Sequence, residues 1–194
     1  MTNIEKKLII FDLDGVLVEA CEWHRVALNL ALREICKYEI SKKDHYSIFN
    51  GIPTKVKLQK LTEMGVLPLE KHLEVYRRKQ EITIETIKRL ACKREEKVEL
   101  MSFLKQKGYF IACFTNSIRE TATMMLEKTG VINHLDFLVT NEDVKRCKPS
   151  PEGYIFLVEK FNVKKENVII VEDSPKGIQA ARASGCKVIE VENA

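Results

Sequence analysis

The chain has 194 residues, enough for one domain or for one core carrying an inserted subdomain. Its hydrophobic content of 45% is that of an ordinary soluble globular protein, and no apolar stretch is long enough to span a bilayer. Lysine and arginine number 32 against 28 aspartates and glutamates, and the net charge of +4 is spread along the chain, which gives no case for a nucleic-acid or membrane partner.

Met1–Lys7 leads straight into the first apolar run and leaves no room for a signal peptide, so the expected location is cytoplasmic. Leu8–Phe11 is short, apolar and rich in Ile and Leu, as in a buried strand of a parallel sheet. Asp12-Leu13-Asp14-Gly15 ends it. Positions two apart on a strand share a face, so Asp12 and Asp14 are expected at one site beyond the strand's carboxyl end, where open parallel sheets bind ligands. Two adjacent carboxylates repel and call for a cation, a shared proton, or both. On these residues alone, a pair of solvated carboxylates at a strand-to-loop exit is the alternative.

Residues 19–91 then read as helical throughout. Trp23, Val26, Ala27, Leu30 and Ala31 recur at helical spacing, and Asn50-Gly51-Ile52-Pro53 is a loop. Thr54 is placed to cap a helix carrying Leu58 and Leu61 that Gly65 stops, and Leu69, Leu73, Tyr76, Ile84, Ile87 and Leu90 carry a further helical period. From there strands and helices alternate. Leu100, Phe103 and Leu104 mark a helix ending at Gly108, and Tyr109–Phe114 is a strand. Ser117 and Glu120 form a capping box for a helix ending at Gly130, and Leu135–Val139 is a strand. Ser150-Pro151 opens a helix as N-cap and first-turn proline, Val168–Val171 is a strand, Ser174-Pro175 opens a helix ending at Gly185, and Lys187–Val191 is a last strand. Alternation of this kind predicts an α/β fold: a three-layer, Rossmann-like parallel sheet core, with the helical block inserted after its first strand. Of the six cysteines Cys21, Cys36, Cys92, Cys113, Cys147 and Cys186, none forms a C-x-x-C pair, which favours free thiols over disulfides or a zinc site.

Three further polar clusters fall at element ends. Thr115-Asn116 follows one strand, Glu172-Asp173 follows another, and Lys148 precedes a helix. Singly, they are compatible with turn chemistry, a favourable helix-dipole approach and a solvated lysine. Together with Asp12 and Asp14 they fit one chemistry. Carboxylates at Asp12, Asp14 and Asp173 make a hard oxygen site suited to Mg²⁺, while Thr115, Asn116 and Lys148, with backbone amides at the following helix start, suit an anion. A metal beside a phosphate, with a spare carboxylate, suits phosphoryl transfer through an aspartyl-phosphate.

The chain resembles the haloacid dehalogenase-like superfamily, in its helical-cap phosphatase and phosphoglucomutase branch. Phe11-Asp12-Leu13-Asp14-Gly15-Val16-Leu17, Phe114-Thr115-Asn116-Ser117, Lys148-Pro149-Ser150-Pro151-Glu152 and Val171-Glu172-Asp173-Ser174-Pro175-Lys176-Gly177 match its four motifs in order. The resemblance implies an α/β core over residues 1–17 and 92–194 and a helical cap over 18–91. It implies that Asp12 is the phosphorylated nucleophile and Asp14 the general acid and base. It further implies that Asp12, the Asp14 backbone carbonyl and Asp173 ligate Mg²⁺, with Glu172 a further ligand or a supporting residue. Thr115, Asn116 and Lys148 would hold the phosphoryl oxygens. Gly51, Thr54 and Lys55 resemble a substrate-selecting cap loop, and Glu19 and His24 fall at cap-hinge positions. The implied function is a Mg²⁺-dependent phosphomonoester phosphatase acting on a small phosphorylated metabolite. The alternative is a sugar phosphomutase, which the family pattern furnishes with an arginine where Thr54 stands. A haloacid dehalogenase, which needs no second carboxylate, and a non-catalytic binding protein fit less well.

Overall fold

The computed structural model describes residues 5–192; the expectation for Met1–Lys7 falls in part on residues 1–4, outside the described residues. The chain divides into two compact units: residues up to Glu19 together with residues from Cys92 onward, and Ala20–Ala91.

The first unit is built on strands β1 (Lys7–Phe11), β2 (Tyr109–Phe114), β3 (Phe137–Val139), β4 (Val168–Glu172) and β5 (Lys187–Glu190). They form a parallel sheet in the order β3-β2-β1-β4-β5. Alternation puts Leu8, Ile10, Ala112, Phe114, Val168 and Ile170 on one face. There they make a core with Tyr154 and Leu157 of α7 (Glu152–Phe161) and Ala180 and Ala181 of α8 (Pro175–Ser184). Ile9, Phe11, Ile111 and Cys113 point the other way and are also buried. The connections from β1 to β2 to β3 step one way across the sheet, and those from β3 to β4 to β5 step the other. Right-handed crossovers therefore place α5 (Glu95–Gln106) and α6 (Arg119–Thr129) opposite α7 and α8, giving three layers. The direction reverses beside β1, which makes the carboxyl end of β1 the natural ligand crevice.

The second unit holds α1 (Cys21–Cys36), α2 (Lys42–Asp44), a π-helical turn (His45–Phe49), α3 (Thr54–Glu63), a 3₁₀ turn (Leu69–Lys71) and α4 (His72–Leu90). Ala27, Leu28, Ala31 and Leu32 of α1 pack with Ile40, Phe49, Leu58, Leu61, Leu67, Val75 and Ile82. Asn29, buried in α1, ties down the chain that follows: its amide donates to the Ile40 carbonyl at 2.9 Å and accepts from the Ile40 N–H at 3.0 Å.

Several local expectations need correction. The buried stripe of α1 lies one residue on from the expected one, leaving Val26 and Leu30 exposed, because Leu28 and Leu32 carry the core contacts. In α5 it is Met101 that is buried, while Leu100 and Phe103 face solvent. Thr54 is the first residue of α3 and not its cap: the Pro53 carbonyl already accepts from the N–H groups of Val56 and Lys57, at 3.0 and 3.1 Å. Pro151 likewise takes the N-cap position of α7 expected for Ser150, whose hydroxyl accepts from Glu152 N at 3.3 Å. β3 starts at Phe137 and not Leu135, since Ile132–His134 forms a 3₁₀ turn and Asp136 exchanges hydrogen bonds with the Ile111 backbone at 2.7 and 2.8 Å. β5 ends at Glu190, one residue short of the expected Val191.

His45 yields a pH prediction. Burial, with the positive charges of Lys57 and Arg25, lowers its imidazole from 6.5 to about 3. The unfolded chain therefore takes up a proton before the folded one does. Its contribution to stability is full above pH 6.5 and is lost as pH falls toward 3. Chemical denaturation at pH 7 and pH 5 should show a smaller acid loss for His45→Phe than for the wild type; equal losses would contradict the assignment.

Candidate active site

The site starts at the sharp exit of β1. Gly15 takes φ 103°, a conformation that L side chains resist, and its N–H reaches the Val18 carbonyl at 2.7 Å. The Leu13 carbonyl accepts from Leu17 and Val18 at 3.0 and 2.9 Å, closing the turn that carries Asp14. Phe11 pairs with Cys113 on one side and Val171 on the other, so Asp12 emerges level with Phe114 and Glu172.

Lys148 occupies the centre. Its Nζ donates to Asp12 Oδ1 at 2.5 Å and to Glu172 Oε1, and all three side chains are buried. Burial alone would push this ammonium down; the facing Asp12 and Glu172 charges outweigh it and hold the group well above its usual range. Its Nζ also lies 4.8 Å from the Phe114 ring centroid and 5.2 Å from that of Tyr154, two rings that meet edge to face. The Tyr154 hydroxyl donates to Glu172 Oε1 at 2.9 Å. Glu172 Oε2 accepts from Asp173 N, Ser174 N and Ser174 Oγ at 3.0, 3.2 and 3.3 Å. Both oxygens of Glu172 are thus occupied, which suits it to hold its neighbours in place.

Oxygens of Asp12, Glu172 and Asp173 lie within 4.8 Å of one another. Within this cluster the carboxylates outnumber the one ammonium, Lys148, that Asp12 and Glu172 share. Burial, then the charge of Glu172, accordingly push the Asp12 carboxyl up, against the pull of Lys148. A hard dication such as Mg²⁺ fits this all-oxygen donor set in both charge and chemistry.

The Asp14 carboxylate is turned to the next strand end. Its Oδ2 accepts from Ser117 Oγ at 2.7 Å and from Thr115 Oγ1 at 3.3 Å. The Asn116 side chain, expected to face phosphoryl oxygens, clamps the Lys148 main chain: Nδ2 donates to the Lys148 carbonyl at 3.2 Å and Oδ1 accepts from its N–H at 3.0 Å. The expected Ser117–Glu120 capping box does not form. Ile118 stands at the N-cap of α6 without a side-chain bond, and Glu142 Oε2 takes the Arg119 N–H at 2.6 Å. At α8 the expected cap is present, with Ser174 Oγ accepting from Gly177 N at 3.1 Å.

Gly51, Thr54, Lys55 and His24 belong to the helical unit. Gly51 turns at φ 73°, Lys55 Nζ lies 6.0 Å from the Tyr76 ring centroid, and His24 Nδ1 is 3.2 Å from the buried Lys79 Nζ. Sequence reasoning missed Tyr154 and Gly177 and assigned Ser117 to a cap. Tyr154 carried no signal beyond its place six residues after Lys148, and Gly177 only its place in the Glu172–Gly177 segment.

Residues 9–191 match the model of the haloacid dehalogenase-like hydrolase family. The chain is 28% identical over 186 residues to a phosphorylated carbohydrates phosphatase of Thermotoga maritima, covering 93% of this chain and 82% of that protein. It is 27% identical over 187 residues to a phosphoglycolate phosphatase of Nitrosospira multiformis, covering 94% and 81%. The crystal structure of a beta-phosphoglucomutase from Clostridium difficile shares the fold, with a TM-score of 0.83 at 23% identity over 97% of this chain and 85% of that one.

Gly177 gives a direct test of the packing. A Cβ there would lie 1.9 Å from Glu172 Oε1 and 2.1 Å from Oε2, so any side chain must displace the carboxylate that holds Lys148. Displacements near 1 Å at a reacting centre cost about a hundredfold in rate. Gly177→Ala should lower kcat on that scale, with α8 still folded by circular dichroism; an unchanged kcat would show that Glu172 does not set the geometry.

Proposed function

The chain belongs to the haloacid dehalogenase-like hydrolase family, and from that membership and the geometry of the site we propose that it is a Mg²⁺-dependent phosphomonoester phosphatase working through an aspartyl-phosphate on Asp12. The observation that carries this reading is the buried Asp12 carboxylate, fixed by Lys148 at 2.5 Å beside two further carboxylates. A carboxylate so held is aimed for attack and not free to rotate.

Asp12 and Asp173, with the Asp14 backbone carbonyl, would hold Mg²⁺; Glu172 keeps Lys148 and the start of α8 in place behind them. When bound, the cation supplies charge for the phosphoryl oxygens and lets the anionic substrate approach an anionic pocket. Lys148, kept charged by its neighbours, and Thr115 meet the remaining phosphoryl oxygens, where negative charge gathers in the transition state. Asn116 acts here by holding the Lys148 backbone. Asp12 attacks phosphorus as the bond to the leaving oxygen breaks, and Asp14 gives that oxygen a proton. Asp14 then takes a proton from water, whose oxygen displaces the Asp12 carboxylate and frees phosphate.

The substrate belongs to the class of small phosphorylated metabolites, a reading supported by the phosphorylated carbohydrates phosphatase and phosphoglycolate phosphatase among its relatives. We assign Gly51, Thr54, Lys55 and His24 to substrate choice and not to the chemical steps. Thr54, in place of the arginine of the mutase pattern, favours hydrolysis over phosphomutase activity. None of the six cysteines is in a disulfide, which suits a reducing compartment, and we place the enzyme in the cytoplasm. Among the described residues no helix is long and apolar enough to cross a membrane.

Phosphate release from a panel of phosphomonoesters should require Mg²⁺, stop on chelation, and vanish in Asp12→Asn. Turnover by Asp12→Asn at the wild-type rate would refute the nucleophile assignment. The metal assignment has a readout independent of turnover. Mg²⁺ should raise the melting temperature of the wild type, since binding to the folded state alone stabilises it, and should leave that of Asp173→Ala unchanged. Equal shifts in the two proteins would remove Asp173 from the metal site.

A further inference from the structure

We infer that Ser117 is a positioning residue for Asp14: its hydroxyl holds the Asp14 carboxyl in the orientation from which that group hands a proton to the leaving oxygen. The inference rests on the acid role given to Asp14 above and extends it to a residue whose sequence context pointed to helix capping.

Two observations carry it. First, the start of α6 is served by other side chains. Arg119 N–H is taken by Glu142 Oε2 at 2.6 Å, the Arg119 guanidinium pairs with Asp143 at 2.5 Å, and Glu120, the other half of the expected box, is exposed. The Ser117 hydroxyl donates across the site to Asp14 Oδ2 at 2.7 Å, the favoured distance for an O–H···O bond.

Second, the serine is also held through its backbone. Its N–H donates to Thr115 Oγ1 at 3.0 Å, and its carbonyl accepts from Asn141 N at 3.3 Å. Thr115 N donates to the Val139 carbonyl at 3.0 Å, and Asn141 Nδ2 donates to the Asn116 carbonyl at 2.9 Å. Asn116 in turn is clamped to Lys148. The loop is therefore fastened to the end of β3 and to the lysine segment. Asp14, on the turn after β1, is the partner whose side chain the bond orients. Thr115 Oγ1, at 3.3 Å from the same oxygen, gives a second and weaker point of support.

In the step concerned, the Asp12 carboxylate oxygen forms a bond to phosphorus, the bond from phosphorus to the leaving oxygen breaks, and the Asp14 proton goes to that oxygen. A residue that orients the proton donor matters when the leaving oxygen needs the proton. It matters little when the leaving group departs as a stable anion. A residue that only supports the loop has no such preference.

The test uses the intact protein with Mg²⁺ and times the phosphorylation step in single turnovers. The two substrates are an alkyl phosphate that the enzyme hydrolyses and p-nitrophenyl phosphate. Ser117→Ala should slow the alkyl phosphate about tenfold, a fraction of the about hundred- to ten-thousand-fold that general acid help supplies, and the aryl phosphate less than about twofold. Ser117→Thr should restore the alkyl rate, and all variants should melt with the wild type. Equal losses on both substrates, or no loss on either, would overturn the inference. Asp14→Asn is run alongside and should show the same preference more strongly. If Asp14→Asn itself treats the two substrates alike, the acid role of Asp14 fails, and that result is distinct from a failure confined to Ser117.

Discussion

One buried ammonium shared between two carboxylates organises the carboxyl edge of this sheet. Lys148 Nζ joins Asp12, at the end of β1, to Glu172, at the end of β4, with all three side chains out of water. Removing one member of such a buried group leaves an uncompensated charge and costs about 3–5 kcal/mol. The surroundings are fitted to this constraint. Phe114 and Tyr154 present their rings to the ammonium, Tyr154 and Ser174 occupy the glutamate oxygens, and Gly177 lets α8 come against the carboxylate. The lysine backbone is clamped by the Asn116 amide. The cluster therefore ties together the ends of three strands and the starts of two helices.

The same arrangement separates two neighbouring aspartates. Asp12 is buried among charges and held at Oδ1 by Lys148. Asp14, two residues on and past the strand end, is more exposed, and its Oδ2 accepts from the hydroxyls of Ser117 and Thr115. A carboxylate fixed by a cation and a carboxylate fixed by neutral donors are suited to different tasks, attack in one case and proton transfer in the other. The division comes from topology: parallel pairing of β1 with β4 brings Glu172, which shares Lys148 with Asp12, to one side, and pairing with β2 brings the Thr115 and Ser117 hydroxyls to the other.

The strands were legible in the sequence because burial on both faces leaves short apolar runs. Tyr109–Phe114 is found with the ends read from the sequence, and β1 and β4 are each one residue longer than expected. Glycines marked the helix ends for the same local reason: Gly130 and Gly185 take the left-handed positions that close α6 and α8. Errors arose where distant groups decide. Ser117 and Glu120 have capping-box spacing, yet Glu142, from the loop after β3, serves the helix start and Ser117 turns to Asp14. Met101 in α5 and Leu28 and Leu32 in α1 are buried by neighbours that helical spacing alone does not specify. Motif spacing announced polar groups at strand ends but not their partners. The occupied oxygens of Glu172 and the hold of Asn116 on the Lys148 backbone are products of folding that only the assembled sheet displays.

The central claim is that the carboxylate held by Lys148 becomes covalently phosphorylated. It is tested most directly by quenching the wild-type enzyme during turnover with Mg²⁺, reducing the trapped acyl phosphate with borohydride, and mapping the product by mass spectrometry. The account predicts conversion of one aspartate to homoserine, in the peptide containing Asp12 and at that residue. Modification at Asp14, Asp173 or Glu172, or steady turnover with no reducible acyl phosphate at all, would contradict it.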